Sequence, residues 1–263
     1  MRVRHRHIIL IILLAFVVTS RFSVEIGEWY SVVIYPVVSG FLSYSVSWIP
    51  FSLEEIVVVG AVLLLIFIIV NGIRKRRVFV LILFQAFEFL LWIYVWFYIG
   101  WGCNYYRESI YTRLGVERQS YNEEVFKDFI TDYADSLNST YETLPNDLFY
   151  VGYDYFENQV KEAFAALPSS AGLSAPRQWQ HPKRLLFNEL YSSVGVMGFM
   201  GPFFCETQLN NDLLPWQFHF VYVHEYSHLL GVSSEDEANF WAYTICTRSD
   251  DPVLRYAGYY GLL

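Results

Sequence analysis

The chain has 263 residues, room for one or two domains, with 54% hydrophobic and 19% aromatic residues and a formal charge of −8. The charge is segregated: residues 1–100 carry 8 Lys and Arg against 5 Asp and Glu, whereas residues 101–263 carry 10 against 21. So acidic a C-terminal part lacks the basic footprint of a nucleic-acid partner, and no such partner is expected.

The N-terminal MRVRHRH precedes an 11-residue apolar run, residues 8–18. It is short for a span, and no small-x-small cleavage site follows it. The expectation is an uncleaved anchor helix over about 8–20, with signal cleavage as the alternative. Residues 21–52 then read as an outside segment. Residues 53–73 and 78–101 are each long enough to cross about 30 Å of hydrocarbon. Arg74-Lys75-Arg76-Arg77 between them marks a cytoplasmic loop. Trp92, Tyr94, Trp96, Tyr98 and Trp101 crowd the far end of the second span as an interfacial belt. Glu88 lies inside that span and is expected to face another helix, paired or protonated. The membrane region is thus 1–101, with two to three transmembrane helices, and residues 102–263 form an extracytoplasmic domain.

In that domain, residues 119–139 carry apolar side chains at helical spacing, and 153–167 read as a second amphipathic helix. Residues 168–182 read as a loop with His181 at the surface. Residues 184–190 and 194–205 have strand character broken by glycines, which can mark close backbone approach by a peptide held by strand addition. Glu206 follows as a weak candidate to line a cleft. Cys103, Cys205 and Cys246 are too few for a disulfide framework; buried thiols are favoured over a Cys205–Cys246 pair.

Asp212 as cap and Pro215 in the first turn open a helix that runs to about Leu230 and ends at Gly231. It carries His224-Glu225-Tyr226-Ser227-His228. Residues four apart share a helix face, so both imidazoles can reach one ion, and zinc takes two His and a carboxylate and keeps a position for water. Glu225 is the candidate general base on that water. His219 lies about 140° away around the helix and does not join them. Ser234 and Glu237 form a candidate capping box for the next helix, which leaves Glu235 as the favoured third ligand and Glu237 as the alternative. Asn239, four residues after Glu235, is placed to bond a ligating His. Residues 213–232 are apolar enough to suggest an intramembrane helix, but Pro215, Gln217, three His and a Glu oppose it.

H-E-x-x-H followed by Glu235-Asp236-Glu237-Ala238-Asn239 resembles the gluzincin metallopeptidases. The resemblance implies zinc on His224, His228 and Glu235, with Glu225 as base. The spacing from His228 to Glu235 is shorter than is usual there. The chain is more closely similar to a bacterial membrane family, domain-of-unknown-function family 3810, through Trp101-Gly102-Cys103-Asn104-Tyr105, Gly201-Pro202-Phe203-Phe204, the zinc-helix motif and Glu235–Phe240. Family members tend to run on beyond such an end, so the expectation is either a short member or a C-terminally truncated chain. The resulting expectation is an α+β protein: membrane helices followed by a mostly helical zincin-like domain with a small sheet. It is anchored in the inner membrane of a bacterium and hydrolyses peptide bonds outside the cytoplasm. The alternative is a zinc-binding sensor or interaction protein without proteolysis.

Overall fold

A computed structural model describes residues 5–144 and 153–263. It is mostly helical, with one small sheet. The first layer holds α1 (His5–Phe22), α2 (Val24–Trp29), a π-helical segment (Tyr30–Ile34), α3 (Tyr35–Val46), α4 (Leu53–Arg74) and α5 (Phe79–Gly100). Four stretches in it are long and apolar enough to cross a membrane: His5–Phe22, Val24–Val46, Leu53–Arg74 and Phe79–Gly100.

Three of these match the sequence reading. Val24–Val46 was not read as a helix; residues 21–52 were expected only as an outside segment. Apolar residues at helical spacing dominate it, and Ser23 caps its start by accepting from the amide of Ile26. Glu88 is paired: it accepts from Arg6 Nη2 at 2.9 Å, with His7 Nε2 at 3.3 Å, and so ties α1 to α5.

The second layer begins with a 3-10 turn (Gly102–Tyr106) and α6 (Ile110–Leu114), then α7 (Glu123–Glu142) and α8 (Tyr153–Ala165). A sheet follows, of β1 (Lys183–Arg184), β2 (Gly198–Gly201) and β3 (Glu206–Leu209), with α9 (Asn188–Ser193) between β1 and β2. The strand order is β1-β3-β2, parallel for β1 with β3 and antiparallel for β2 with β3. α10 (Pro215–Leu229), α11 (Glu235–Thr247) and α12 (Pro252–Tyr260) close the domain. Val221, Tyr222, Tyr226, Leu229, Trp241 and Leu254 are central to its core.

The strands are shorter than the sequence pattern suggests, and buried glutamates are the reason. Glu55 accepts from the amides of Leu186 (2.8 Å) and Phe187 (2.9 Å), which would otherwise extend β1, and the chain turns into α9. Glu54 accepts from the amide of Phe203 at 3.1 Å, in the turn that ends β2. The backbone of Pro202 sits against Gly100, where a side chain would not fit. The Gly-Pro-Phe-Phe segment thus wedges between the start of α4 and the end of α5.

Glu206 lines a small hollow with Ser43, Ser47 and Thr207, away from His224, His228 and Glu235. It is buried, and its Oε1 accepts from the amides of Leu53 (2.8 Å) and Glu54 (2.9 Å), two orphan donors of the first turn of α4. Its Oε2 pairs with Lys183 Nζ at 2.5 Å, and Lys183 also donates to Val46 O at 2.9 Å. One ion pair therefore joins the sheet to the end of α3 and the start of α4. Removing one partner leaves an uncompensated buried charge. Glu206→Ala is expected to destabilise the protein by about 3–5 kcal/mol, read by denaturation in detergent. The Lys183→Met/Glu206→Gln double variant is expected to lose less than the single variant.

Candidate metal centre

α10 is opened by Pro215, as its sequence indicates, but Asp212 is not its cap. Asp212 instead accepts from Asn188 Nδ2 (3.0 Å) and Ser192 Oγ (2.5 Å), and Gln217 Oε1 accepts from the amide of Leu214, the residue before Pro215, at 3.1 Å. Gly231, at φ +104°, ends the helix in a conformation other residues rarely adopt.

The turn brings His224, His228 and Glu235 together, with one ligand atom from each within 4.8 Å of the others. His224 Nε2 lies 3.1 Å from Glu235 Oε2 and 3.2 Å from His228 Nε2, and His228 Nε2 lies 3.6 Å from Glu235 Oε1. Tetrahedral zinc with bonds of about 2.0–2.1 Å sets its ligand atoms about 3.3 Å apart. The donor set therefore fits such an ion in both chemistry and spacing.

The other ring nitrogens are occupied. His228 Nδ1 lies 2.8 Å from Val232 O, a carbonyl that only accepts, so the ring hydrogen sits on Nδ1. Asn239 Oδ1, 2.8 Å from His224 Nδ1, assigns the same tautomer to His224. Both Nε2 lone pairs then face each other and a carboxylate, an arrangement that a cation resolves. Asn239 sits one turn beyond Glu235 on α11, so the two side chains hold His224 from opposite edges. Burial, followed by the neighbouring His228, lowers the His224 pKa and favours the neutral ring that binds metal.

Glu235 is exposed and free to turn toward an ion, whereas Glu237 is buried. Glu237 pairs with Arg113 and accepts from Trp241 Nε1 at 3.1 Å. The expected capping box is not formed, because Ser234 makes no side-chain capping bond. What removes Glu237 from the site is the ion pair with Arg113, a partner more than a hundred residues away.

Glu225 is buried beside this cluster, and burial, with Glu235 adding to it, pushes its carboxyl up to about 8. Gly198 on β2 makes room for it. A Cβ there would lie 3.1 Å from Glu225 Cγ and 2.9 Å from Gln208 O. The strand glycine thus marks a close approach, but by the motif helix. His219 is buried away from the cluster, its Nδ1 2.8 Å from Pro215 O. His181 is largely exposed and pairs with Glu157 at 2.7 Å. Cys103, Cys205 and Cys246 are free, buried thiols.

Several residues that hold the site escaped the sequence reading of it. Trp101 Nε1 donates to His228 O at 2.9 Å, Tyr35 OH to Leu229 O at 2.7 Å, and Arg107 Nη1 to Gly231 O at 3.3 Å. Arg107 is buried, also paired with Glu28, and burial lowers its pKa.

Residues 30–263 match DUF3810, described as a protein of unknown function, and the chain belongs to that family. No curated protein and no solved structure matches the chain.

Glu235→Gln is expected to weaken zinc binding markedly in a chelator competition, and Asn239→Ala to weaken it by about 10–100-fold. Glu237→Gln is expected to leave zinc affinity unchanged and lower the melting temperature. Equal zinc affinity in wild type and Glu235→Gln would remove Glu235 from the site.

Proposed function

We propose that the protein is a membrane-anchored, zinc-dependent endopeptidase whose domain 102–263 acts on peptides outside the cytoplasm. The observation that carries this reading is the meeting of two Nε2 atoms 3.2 Å apart with the Glu235 carboxylate, beside a buried Glu225. His224, His228 and Glu235 would hold the ion, which when bound supplies a Lewis acid and lowers the pKa of its water toward 7.

The remaining work falls to the chain's own groups. Glu225 accepts the proton of the attacking water and returns it to the leaving amine. Its burial suits that role, since a carboxyl raised toward neutrality both takes and gives a proton there. Asn239 and the Val232 carbonyl keep both imidazoles in the ligating tautomer. β2 is an edge strand packed against α10, and its outer edge pairs with no strand among the described residues. A peptide added there as a further strand would run beside Glu225. The basic Arg74–Arg77 loop at the far end of the α4–α5 hairpin supports the extracytoplasmic placement of the domain.

The test is metal analysis and peptide-library cleavage with purified full-length protein. Wild type is expected to carry one zinc per chain and cleave. Glu225→Gln is expected to keep the zinc and lose about 10²–10⁴-fold in cleavage rate. Undiminished cleavage by that variant, or folded wild type without zinc, would sink the proposal.

A further inference from the structure

The Val24–Val46 stretch is 23 residues long. Such a helix is about 34 Å long, enough to cross a bilayer. A crossing helix carries its two ends to opposite surfaces. Here both ends are fixed to the same polar domain, on one side of the α4–α5 hairpin.

At the start, Gly27 packs directly against the backbone of Tyr106, and Glu28 pairs with Arg107 at 3.1 Å. Both partners follow immediately after α5. At the other end, Val46 O accepts from Lys183, whose partner Glu206 binds the first amides of α4. The end of α5 and the start of α4 are the two ends of one antiparallel hairpin, joined at the far side by Arg74–Arg77. Both ends of Val24–Val46 therefore sit at the level where that hairpin meets the domain.

The helix also has sides of distinct chemistry. One side faces the domain along its length. Tyr35 bonds Leu229 O, the Arg177 guanidinium covers Gly40 and donates to Pro36 O at 2.5 Å, and Ser43 accepts from Trp179 Nε1 at 3.2 Å. Another side points at the hairpin, where Val38 and Leu42 line an apolar cavity of about 880 Å³ between α1, α4 and α5. Trp29, Val33, Val37, Phe41, Tyr44 and Trp48 are exposed, Phe41 at 72% and Trp48 at 79%; Tyr44 stands at the border with the domain, edge-on to Trp179. None of these six carries a charge, and three are Trp or Tyr, the residues that favour the boundary between headgroups and acyl chains.

We propose that Val24–Val46 does not cross the membrane but lies in its surface plane, with this outward face in the lipid interface and the domain standing on it. The occupant of the face is the bilayer that α4 and α5 cross. α1, α4 and α5 are then the three spans. Tyr35, by bonding Leu229 O, sets the end of the motif helix about one helix diameter, ~10 Å, from the lipid. The candidate centre would reach segments of other chains close to the membrane surface. The placement does not depend on the peptidase reading, and its test uses no activity.

The three native cysteines are buried, so an introduced thiol reports its own position. In sealed vesicles with full-length protein, Glu25→Cys and Pro50→Cys are expected to react with an impermeant maleimide from the side that labels Asn211→Cys. Lys75→Cys is expected to react from the other side. Nitroxide labels at Val37→Cys, Phe41→Cys and Tyr44→Cys are expected to report one common, shallow depth. In a crossing helix the depth would change by about 6 Å between positions 37 and 41. Labelling of Glu25→Cys and Pro50→Cys from opposite sides, a depth gradient, or full exposure of all three nitroxides to an aqueous relaxant would each overturn the proposal.

Discussion

The last turn of α10 is where the demands on this structure converge. A helix leaves its final carbonyls without intrahelical partners, and here that end is buried. Four consecutive carbonyls there take donors from other elements. His228 O takes Trp101 Nε1, Leu229 O takes Tyr35 OH, Leu230 O takes the amide of Ser174, and Gly231 O takes Arg107. The donors come from the end of α5, from α3, from the loop after α8 and from the segment after the 3-10 turn. Satisfying one helix end therefore locks the apolar layer to the second layer. It also fixes the backbone of His228 and the turn that delivers Glu235.

Carboxylates divide into two kinds by what they bond. Glu54, Glu55 and Glu206 are buried and accept backbone amides, fastening the start of α4 to the sheet. Glu237 is buried against Arg113 and Trp241 and fastens α11 to α6. Their oxygens are committed to structure. Glu235 alone in its run turns outward onto the imidazoles, and Glu225 is buried beside them without such a set of amide donors among the described residues. The same residue type thus serves as an anchor where its oxygens are satisfied, and remains available to a cation or a proton where they are not.

The apolar layer carries polar information too. Glu88 pairs with Arg6 rather than lining a path, and the Trp96 indole donates to Phe203 O at 3.1 Å, seating the Gly-Pro-Phe-Phe turn between α4 and α5. These contacts bring β2 to the face of α10 that bears Glu225. The position of the sheet edge relative to the candidate metal ligands follows from how the turn is held by the first layer.

Local patterns carried a large part of this in the linear chain. Helical spacing placed His224 and His228 on one face, Pro215 and Gly231 bounded their helix, and Glu235 and Asn239 lay one turn apart, so these four side chains were readable as a cluster. The spans over 53–73 and 78–101 were equally legible, because twenty apolar residues in a row have few other uses. The Val24–Val46 helix was passed over although its apolar spacing and its Ser23 cap are local signals. The shortening of the 184–190 strand before α9 and the removal of Glu237 by Arg113 were not legible, because each depends on a partner more than a hundred residues away in the chain. Composition and periodicity report what a segment can do on its own. Which buried donor meets which acceptor is decided only when the layers pack, because an unpaired polar group in the interior costs more than any local propensity can return.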